Sequence, residues 1–263
     1  MAVSRKSGQA ISGAVFSARH SYMPNSLGYC GPDENGALFE GALNNKPTAE
    51  MVEALKQFKG AYPYERFIAE SSHVHDPFDF RVTEAYWIGN GLLERIPPDA
   101  FYRHLRERLE KKFPKEHIKR FFERPPYASF PHHALHVFNA FSGMGTIPDS
   151  VASGQGSDQE LESFMDQCRI SWGKVTGVEG QDLIVDYEPI VRTNGNLLLG
   201  PARRKKVTRQ VQGRGFVDDA SPGDWISVHW GFASSILTGH QVSSLRKYTL
   251  QAMQIANTFP IPQ

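Results

Sequence analysis

The hydrophobic pattern of this 263-residue chain changes its period near position 166, and this change limits the folds available to it. Before that position, apolar residues recur at helical spacing, as in Met51, Ala54, Leu55 and Phe58. After it, short alternating segments are separated by glycines, which is typical of a small β-barrel. We therefore predict an α+β protein with an α-helical domain over 1–145, a linker and short helix over 146–165, and an OB-like β-barrel with a C-terminal helix over 166–263.

The individual elements follow from the same periodicity and from turn residues at their ends. The predicted helices span 11–20, 48–58, 64–71, 79–93, 100–113, 116–124, 131–141, 159–166 and 241–257. The predicted strands span 168–178, 181–187, 189–199, 205–212 and 225–230, and these five strands form the expected barrel. The linker prediction rests on the Gly, Ser, Asp and Pro content of residues 143–158.

Composition excludes several classes of protein. The chain is 40% hydrophobic and 22% charged, which is ordinary globular composition. Its formal net charge of +1 gives no general attraction for a polyanion. Six cations lie between Arg203 and Arg214, but aromatic residues for base stacking are missing among them. We expect a solvated loop or a docking surface for an acidic protein there, not a nucleic-acid site. No apolar run is long enough to cross a membrane.

The chain has two cysteines, Cys30 and Cys168, which are far apart in sequence. This number does not suit a secreted disulfide scaffold and favours free thiols in a reducing, cytoplasmic setting. Cys30 lies in a loop marked by Gly28, Gly31 and Pro32. There it is either an exposed thiol that a ligand can approach or a small buried residue in a packed loop.

Five histidines are candidate metal ligands. His229 lies in a predicted strand between bulky apolar residues, where it is either a core histidine or a ligand. His132 and His136 are four residues apart on a predicted helix and so share a face, as a metal pair or as packing and capping residues. His73 and His75 share a face of an extended segment, as ligands or as polar caps.

Two segments of the C-terminal part resemble a known family. The segments are Cys168-Arg169-Ile170-Ser171-Trp172-Gly173-Lys174-Val175 and Gly223-Asp224-Trp225-Ile226-Ser227-Val228-His229-Trp230-Gly231-Phe232-Ala233. Separated by a barrel-sized interval and followed by a helix, they resemble the HypC/HupF family of nickel–iron hydrogenase maturation chaperones over residues 166–257. Residues 16–33 and 130–141 resemble an uncharacterised family associated with hydrogenases.

The resemblance implies a metal role for two residues. In that family the matching cysteine binds iron that carries cyanide and carbon monoxide ligands, and the strand histidine lies near it, so Cys168 and His229 are the corresponding positions. It also implies a partner, either a HypD-like scaffold or the hydrogenase large subunit. This chain departs from the family because Cys168 is internal, Trp172 occupies a position that is commonly proline, and a helical domain is added.

The chemistry of the candidate ligands agrees with this implication. A thiolate and a neutral imidazole suit ferrous iron or, less well here, zinc. Because the first strand of a barrel lies beside the last or the next-to-last, Cys168 and His229 can meet. Cys30 could supply a second thiolate from the helical domain, which would then act in place of a partner protein.

Three functions follow from these residues. The leading hypothesis is a hydrogenase maturation or accessory protein that binds the iron centre or the large subunit. The second is a metal-dependent enzyme that makes a diatomic ligand, using Cys30, the His73/His75 pair or the His132/His136 pair. The third is a non-catalytic interaction module. We assign no catalytic residue, since the chain has no nucleophile elbow, phosphate loop or dinucleotide fingerprint.

Overall fold

A computed structural model of the chain describes residues 11–33, 35–111, 130–139 and 157–258, together with positions 119 and 123. The predicted helix over 116–124 and residues 146–156 of the predicted linker lie outside the described residues, apart from those two positions. The described part has helices first, then a five-stranded closed barrel and a C-terminal helix. The predicted α+β layout is therefore confirmed.

Nine α-helices occur in the described ranges, and most of them match the predicted ones within a few residues. Their bounds are α1 Gly13–Ser26, α2 Gly36–Leu43, α3 Ala49–Lys56, α4 Tyr62–Ser71, α5 Phe80–Trp87, α6 Pro98–Glu110, α7 His133–Asn139, α8 Asp158–Cys168 and α9 Gly239–Thr258. Helix α2 is absent from the sequence prediction. A single 3-10 turn, Leu93–Arg95, lies between α5 and α6.

Two helix starts show why these segments are helical. The Thr48 side chain accepts a hydrogen bond from the Met51 N–H and so caps α3. Ser157 and Glu160 form a complete capping box at the start of α8, in which each side chain accepts from the other residue's backbone N–H. The second cap fixes where α8 begins, and its last residue is Cys168.

Seven strands follow α8. Their bounds are β1 Ser171–Glu179, β2 Asp182–Tyr187, β3 Ile190–Thr193, β4 Asn196–Leu199, β5 Arg203–Thr208, β6 Trp225–His229 and β7 Phe232–Leu237. The barrel closes in the order β1, β2, β5, β7, β6, with β5 and β7 parallel and every other pair antiparallel. Strands β3 and β4 form a separate two-stranded sheet.

Three details of the predicted barrel were wrong. The segment 189–199 is not one barrel strand but the β3–β4 hairpin, because Asn194 and Gly195 both have positive φ and make the tight turn that Asn-Gly favours. The strand that replaces it in the barrel is β7, which lies between the last predicted strand and the C-terminal helix and was not predicted. Cys168 ends a helix and does not begin the first strand.

The basic segment lies mainly on β5, whose neighbour β2 is acidic. Arg204 lies 3.7 Å from Asp186, and Lys206 lies 3.2 Å from Glu179 and 3.8 Å from Asp182. These pairs neutralise part of the cationic strand, so it is less basic as a surface than its sequence suggests.

Helices and barrel share one buried hydrophobic cluster. Helix α1 contacts β6 and β7, and α7 contacts both α8 and α9. These contacts bring the helical region against the end of the barrel where β6 finishes. Within the described ranges, every helix is too short or too polar to cross a bilayer.

Candidate metal centre

Three buried side chains meet where α7, α8 and β6 converge. His133 begins α7, Cys168 ends α8 and His229 ends β6. One ligand atom from each residue lies within 4.8 Å of the other two, and the residues are 6%, 8% and 2% exposed. This is the one group of three or more potential metal ligands within the described ranges. We call it the His133–Cys168–His229 cluster.

Barrel pairing brings Cys168 to His229. Strands β1 and β6 are antiparallel neighbours with Ser171 opposite Val228. The Trp230 N–H also donates a hydrogen bond of 2.9 Å to the Gln167 carbonyl, which ties the turn after β6 to the end of α8. The expectation that the barrel would place Cys168 beside His229 is therefore met.

The His229 ring is held in a ligand-ready orientation. Its Nδ1 lies 2.5 Å from the carbonyl oxygen of His20 on α1. Because a carbonyl only accepts, Nδ1 carries the proton and Nε2 keeps its lone pair. Nε2 is buried and makes no hydrogen bond of regular geometry, although the ring also interacts with the Cys168 backbone. Metal-binding histidines commonly donate their other N–H to a backbone carbonyl in this way, so the orphaned Nε2 fits a metal ligand.

His133 is held from both sides of its ring. Its Nε2 lies 2.9 Å from the Cys168 carbonyl oxygen, and its Nδ1 lies 3.2 Å from the Tyr86 hydroxyl. The Tyr86 hydroxyl also donates to the Gly60 carbonyl at 2.8 Å. A neutral ring has one N–H, which the Cys168 carbonyl requires, and Tyr86 has one hydroxyl proton, which the Gly60 carbonyl requires. No proton is then left for the contact between Nδ1 and the Tyr86 oxygen. Metal binding through Nε2 must replace the hydrogen bond to Cys168, whereas binding through Nδ1 must displace only the Tyr86 contact.

Burial keeps all three members of the cluster uncharged. Desolvation lowers the pKa of His229 from 6.5 to about 4 and that of His133 well below 6.5, where the nearby His229 lowers it further. Desolvation also raises the pKa of the Cys168 thiol, and Cys30 adds to this rise while the Trp230 indole opposes it. Neutral imidazoles are ready to bind a metal, whereas the thiol must release its proton when a metal binds.

Cys30 lies beside this cluster but is not a member of it. The thiol lines the same pocket as Cys168, and burial raises its pKa to about 12. The Asn25 amide donates to the Cys30 carbonyl at 2.9 Å and to the Pro32 carbonyl at 2.5 Å, which fixes the loop. Gly31 has φ +90° and lies against Phe58 so closely that an added Cβ would be 2.4 Å from the ring. Cys30 is therefore half-buried in a packed loop that faces the cluster.

A pocket of about 280 Å³ opens next to the cluster. Its lining includes Cys30 and all three cluster residues together with several aromatic side chains. These aromatic residues are Tyr29, Phe58, Tyr86, Trp87, Phe164 and Trp230. A metal bound by the cluster would therefore face an apolar space with room for further ligands.

The other histidines named in the sequence analysis lie elsewhere. His132 Nδ1 accepts the Ala134 N–H at 3.0 Å, and its ring stacks on Tyr248, so it caps and packs α7. His136 lines the pocket, with Nδ1 3.5 Å from the Tyr64 hydroxyl, but is outside the cluster. These contacts match the packing and capping roles that the sequence left open, and the role of the His132/His136 pair as metal ligands stays a prediction.

The His73/His75 pair belongs to no group of three or more potential metal ligands in the ranges that the structure describes, and its metal role stays a prediction. Both side chains are exposed in the turn after α4, and His73 has a positive φ of 54°. The neighbouring Asp76 carboxylate accepts the Phe78 N–H at 2.8 Å, which is the polar capping that the sequence left open as the alternative.

His133 is the functional residue that sequence reasoning missed. The His132-His133 pair at a helix start is a signal for this. The side chain of the residue just before a helix often accepts a hydrogen bond from one of the first backbone N–H groups of the helix. His132 makes such a contact, which leaves the next ring for another role. The sequence gives no signal that α7 packs against α8 and so brings this ring to Cys168.

Trp87, Ser17 and Glu65 form a buried, hydrogen-bonded polar layer next to the cluster. The Trp87 ring centroid lies 4.8 Å from that of His133 and 6.0 Å from that of His229. Its indole N–H donates to Ser17 at 3.1 Å and to Glu65 at 3.2 Å. Burial raises the pKa of Glu65 from 4.5 to about 7, although the hydrogen bonds from Ser17 and Trp87 oppose this. The layer thus includes a carboxyl group that changes charge near neutral pH.

Comparison with protein families gives one match, over residues 9–261, to a family described as a family of unknown function, DUF6390. The chain belongs to the DUF6390 family. The match covers both the helices and the barrel, so every residue of the cluster lies within the DUF6390 region. No curated protein and no solved structure matches the chain.

Proposed function

We propose that this protein is a nickel–iron hydrogenase maturation or accessory protein that binds, and delivers, an iron centre with cyanide and carbon monoxide ligands. The observation that carries the proposal is the meeting of Cys168 and His229. The HypC/HupF resemblance assigns the Cys168 position to iron and places the His229 position near it, and the ligand atoms of both residues lie within 4.8 Å of each other and of His133.

The donor set suits the proposed metal. A thiolate and two neutral imidazoles are soft and borderline ligands that favour ferrous iron or zinc over magnesium or calcium. Three protein ligands leave positions open on the metal, as a carrier requires and a closed structural zinc site does not allow. The resemblance favours iron over zinc. The parallel pairing of β5 with β7 in a closed five-stranded barrel also supports classifying this part as OB-like.

Cys30 is proposed as a further thiolate that the helical region brings to the metal. It lies on the wall of the same pocket, outside the three-residue cluster. To reach the metal, the thiol requires a movement of this loop against its Asn25 hydrogen bonds and its packing on Phe58. In this way the helical region would supply a ligand that a separate scaffold supplies in the simpler chaperone.

The proposed partner is the hydrogenase large subunit or a HypD-like scaffold. The proposal includes a reducing, cytoplasmic location, since both thiols must be free to bind metal.

Metal analysis of anaerobically purified full-length protein tests the proposal. We expect about one iron per chain, infrared bands of bound cyanide and carbon monoxide, and co-purification of the large subunit from the native host. Cys168→Ala should lose the iron and abolish hydrogenase maturation. His75→Ala, which changes an exposed histidine outside the cluster, is the matched control and should retain both. Wild-type protein without iron, or a Cys168→Ala variant that still supports maturation, would contradict the proposal.

A metal-dependent enzyme is the second candidate, and the pocket favours it. Its volume of about 280 Å³ exceeds what two diatomic ligands need and leaves room for an organic substrate. For this candidate we expect metal without infrared bands of cyanide or carbon monoxide. If metal is absent and Cys168→Ala has no effect, the remaining candidate is a non-catalytic interaction module.

A further inference from the structure

The pocket beside the cluster is large for a metal with diatomic ligands. Its volume is about 280 Å³. An apolar cavity of about 150 Å³ is enough to hold benzene. By proportion, this pocket takes a molecule of about ten heavy atoms. Its size therefore indicates an organic ligand.

The walls of the pocket indicate the shape of that ligand. Tyr29 and Trp230 stack at a centroid distance of 4.0 Å with an interplanar angle of 19°. Phe164 meets the Trp230 ring edge-on at 5.0 Å. Phe58 and Trp87 add further aromatic surface to the lining. Such walls favour a flat aromatic molecule, which can stack or make edge contacts with each of them.

Trp230 lies at a backbone position that suits a different residue. Trp230 and Gly231 have φ values of 51° and 71° and join β6 to β7. Positive φ at both positions of a two-residue hairpin turn favours Asn-Gly. Tryptophan in this conformation is strained, and such strain is concentrated at functional sites. The indole, only 8% exposed, contributes to the pocket wall from this position.

The interior of the pocket disfavours charge. The buried polar groups that line it are thiols, imidazoles and a phenol, and none of the buried lining side chains is an acid, a lysine or an arginine. Lys59, the one residue with an ionic side chain in the lining, is exposed. A ligand that reaches the cluster is therefore expected to be uncharged.

We propose that this pocket binds a flat, uncharged aromatic molecule of about ten heavy atoms that presents one neutral donor atom to the metal cluster. The donor part rests on the metal binding proposed above, whereas the aromatic part rests on the pocket walls alone. The aromatic rings of the ligand would lie along Trp230 and Phe58, with the donor atom toward His133, Cys168 and His229.

Three probes of nearly equal shape test the aromatic part and the donor part of the proposal separately. Isoquinoline is neutral and has a donor nitrogen, naphthalene is neutral without a donor, and N-methylisoquinolinium is charged without a donor. The full-length protein is loaded with Co²⁺, and binding is followed by visible absorption for the metal and by ligand-detected NMR for the probe. We expect isoquinoline to bind and to shift the cobalt spectrum, naphthalene to bind without a spectral shift, and the cation to bind at least about tenfold more weakly than naphthalene.

Trp230→Asn tests the location of the site, and circular dichroism checks that the variant is folded, since asparagine suits the turn but the indole belongs to the buried core. It should weaken isoquinoline binding by about tenfold or more. Leu250→Asn, which changes an exposed apolar residue on α9 outside the pocket, is the control and should change binding by less than about twofold. Equal affinity in wild type and Trp230→Asn would show that the probe does not bind at this wall and would overturn the inference.

The remaining outcomes distinguish the two proposals. If cobalt binds at the cluster but neither neutral probe binds, the aromatic ligand is wrong and the metal proposal stands. If cobalt does not bind, the metal proposal and the donor part are both wrong. Isoquinoline binding to metal-free protein would then still support the aromatic part, and its failure to bind would overturn that part too.

Discussion

Mild acid should unfold this protein, because its fold keeps five buried histidines neutral. Burial lowers the pKa from 6.5 to about 3 for His20 and His132, to about 4 for His136 and His229, and well below 6.5 for His133. All five are at most 9% exposed. In the unfolded chain each of them takes up a proton below about pH 6.5. Stability is therefore fully present above that pH and is lost as the pH falls toward the folded-state pKa values.

The size of the effect follows from these values. At about pH 5, each histidine favours the unfolded chain by about 2 kcal/mol, so five contribute about 10 kcal/mol. Glu65 acts in the opposite direction. Because its pKa is raised, the ionised carboxylate destabilises the fold above pH 7, and this destabilisation decreases as the pH falls toward 4.5. That relief offsets about 2–3 kcal/mol by pH 5. The net loss of about 7 kcal/mol is comparable with the whole stability of a typical domain, about 5–15 kcal/mol.

Urea unfolding of the metal-free, full-length chain, followed by circular dichroism between about pH 7.5 and pH 5, measures this loss. Glu65→Gln should make the acid loss larger by about 2–3 kcal/mol, because the variant has no carboxyl group to gain a proton. His75→Ala, which changes an exposed histidine, is the control substitution. A stability that varies by less than about 1 kcal/mol over the range would refute the reasoning.

Three substitutions give further predictions for the elements around the cluster. Ser157→Ala removes the capping box of α8 and should lower the unfolding free energy by about 1 kcal/mol, read from thermal melts, and an unchanged melt would contradict the role of the cap. Gly31→Ala adds a Cβ against Phe58, so it should lower the unfolding free energy by about 1–3 kcal/mol and speed thiol labelling of Cys30. Gly28→Ala adds a Cβ in open space, so it should lower the unfolding free energy through backbone strain only. Tyr86→Phe removes a buried hydroxyl from the Gly60 carbonyl and should cost about 1–2 kcal/mol in urea unfolding, and a neutral result would exclude this hydrogen bond as a stabilising one.

Local patterns predict most of the elements in this fold. The Met51, Ala54, Leu55 stripe of α3 and the alternation of β2 depend on neighbours in sequence, and each appears where it was expected. Strand β6 also forms where it was expected, but it is buried on both faces. The errors arise at turns. Asn194-Gly195 is an ordinary hairpin signal that divides the segment 189–199, and it is visible in the sequence. Trp230-Gly231 makes the same kind of turn, but tryptophan is not a residue from which such a turn is predicted.

The candidate site was predictable in part. Cys168 and His229 could be paired because strand adjacency follows from barrel closure, and the β1–β6 register provides it. His133 could not be chosen over His132 and His136, because the choice depends on which side of α7 packs against α8. The roles of the His20 carbonyl and the Tyr86 hydroxyl depend on long-range packing as well, since they act on residues 209 and 47 positions away in the chain.

The hydrogen bond from His229 to the His20 carbonyl has a consequence for how the protein is made on the ribosome. Helix α1 leaves the ribosome early, but the ring that it orients is synthesised 209 residues later. The cluster can form only after β6 has emerged and closed onto β1. A nascent chain that lacks the barrel would offer His133 and Cys168 but not His229. Capture of a metal would therefore report that synthesis and folding of the barrel are complete, and an unfinished chain could not compete for scarce metal.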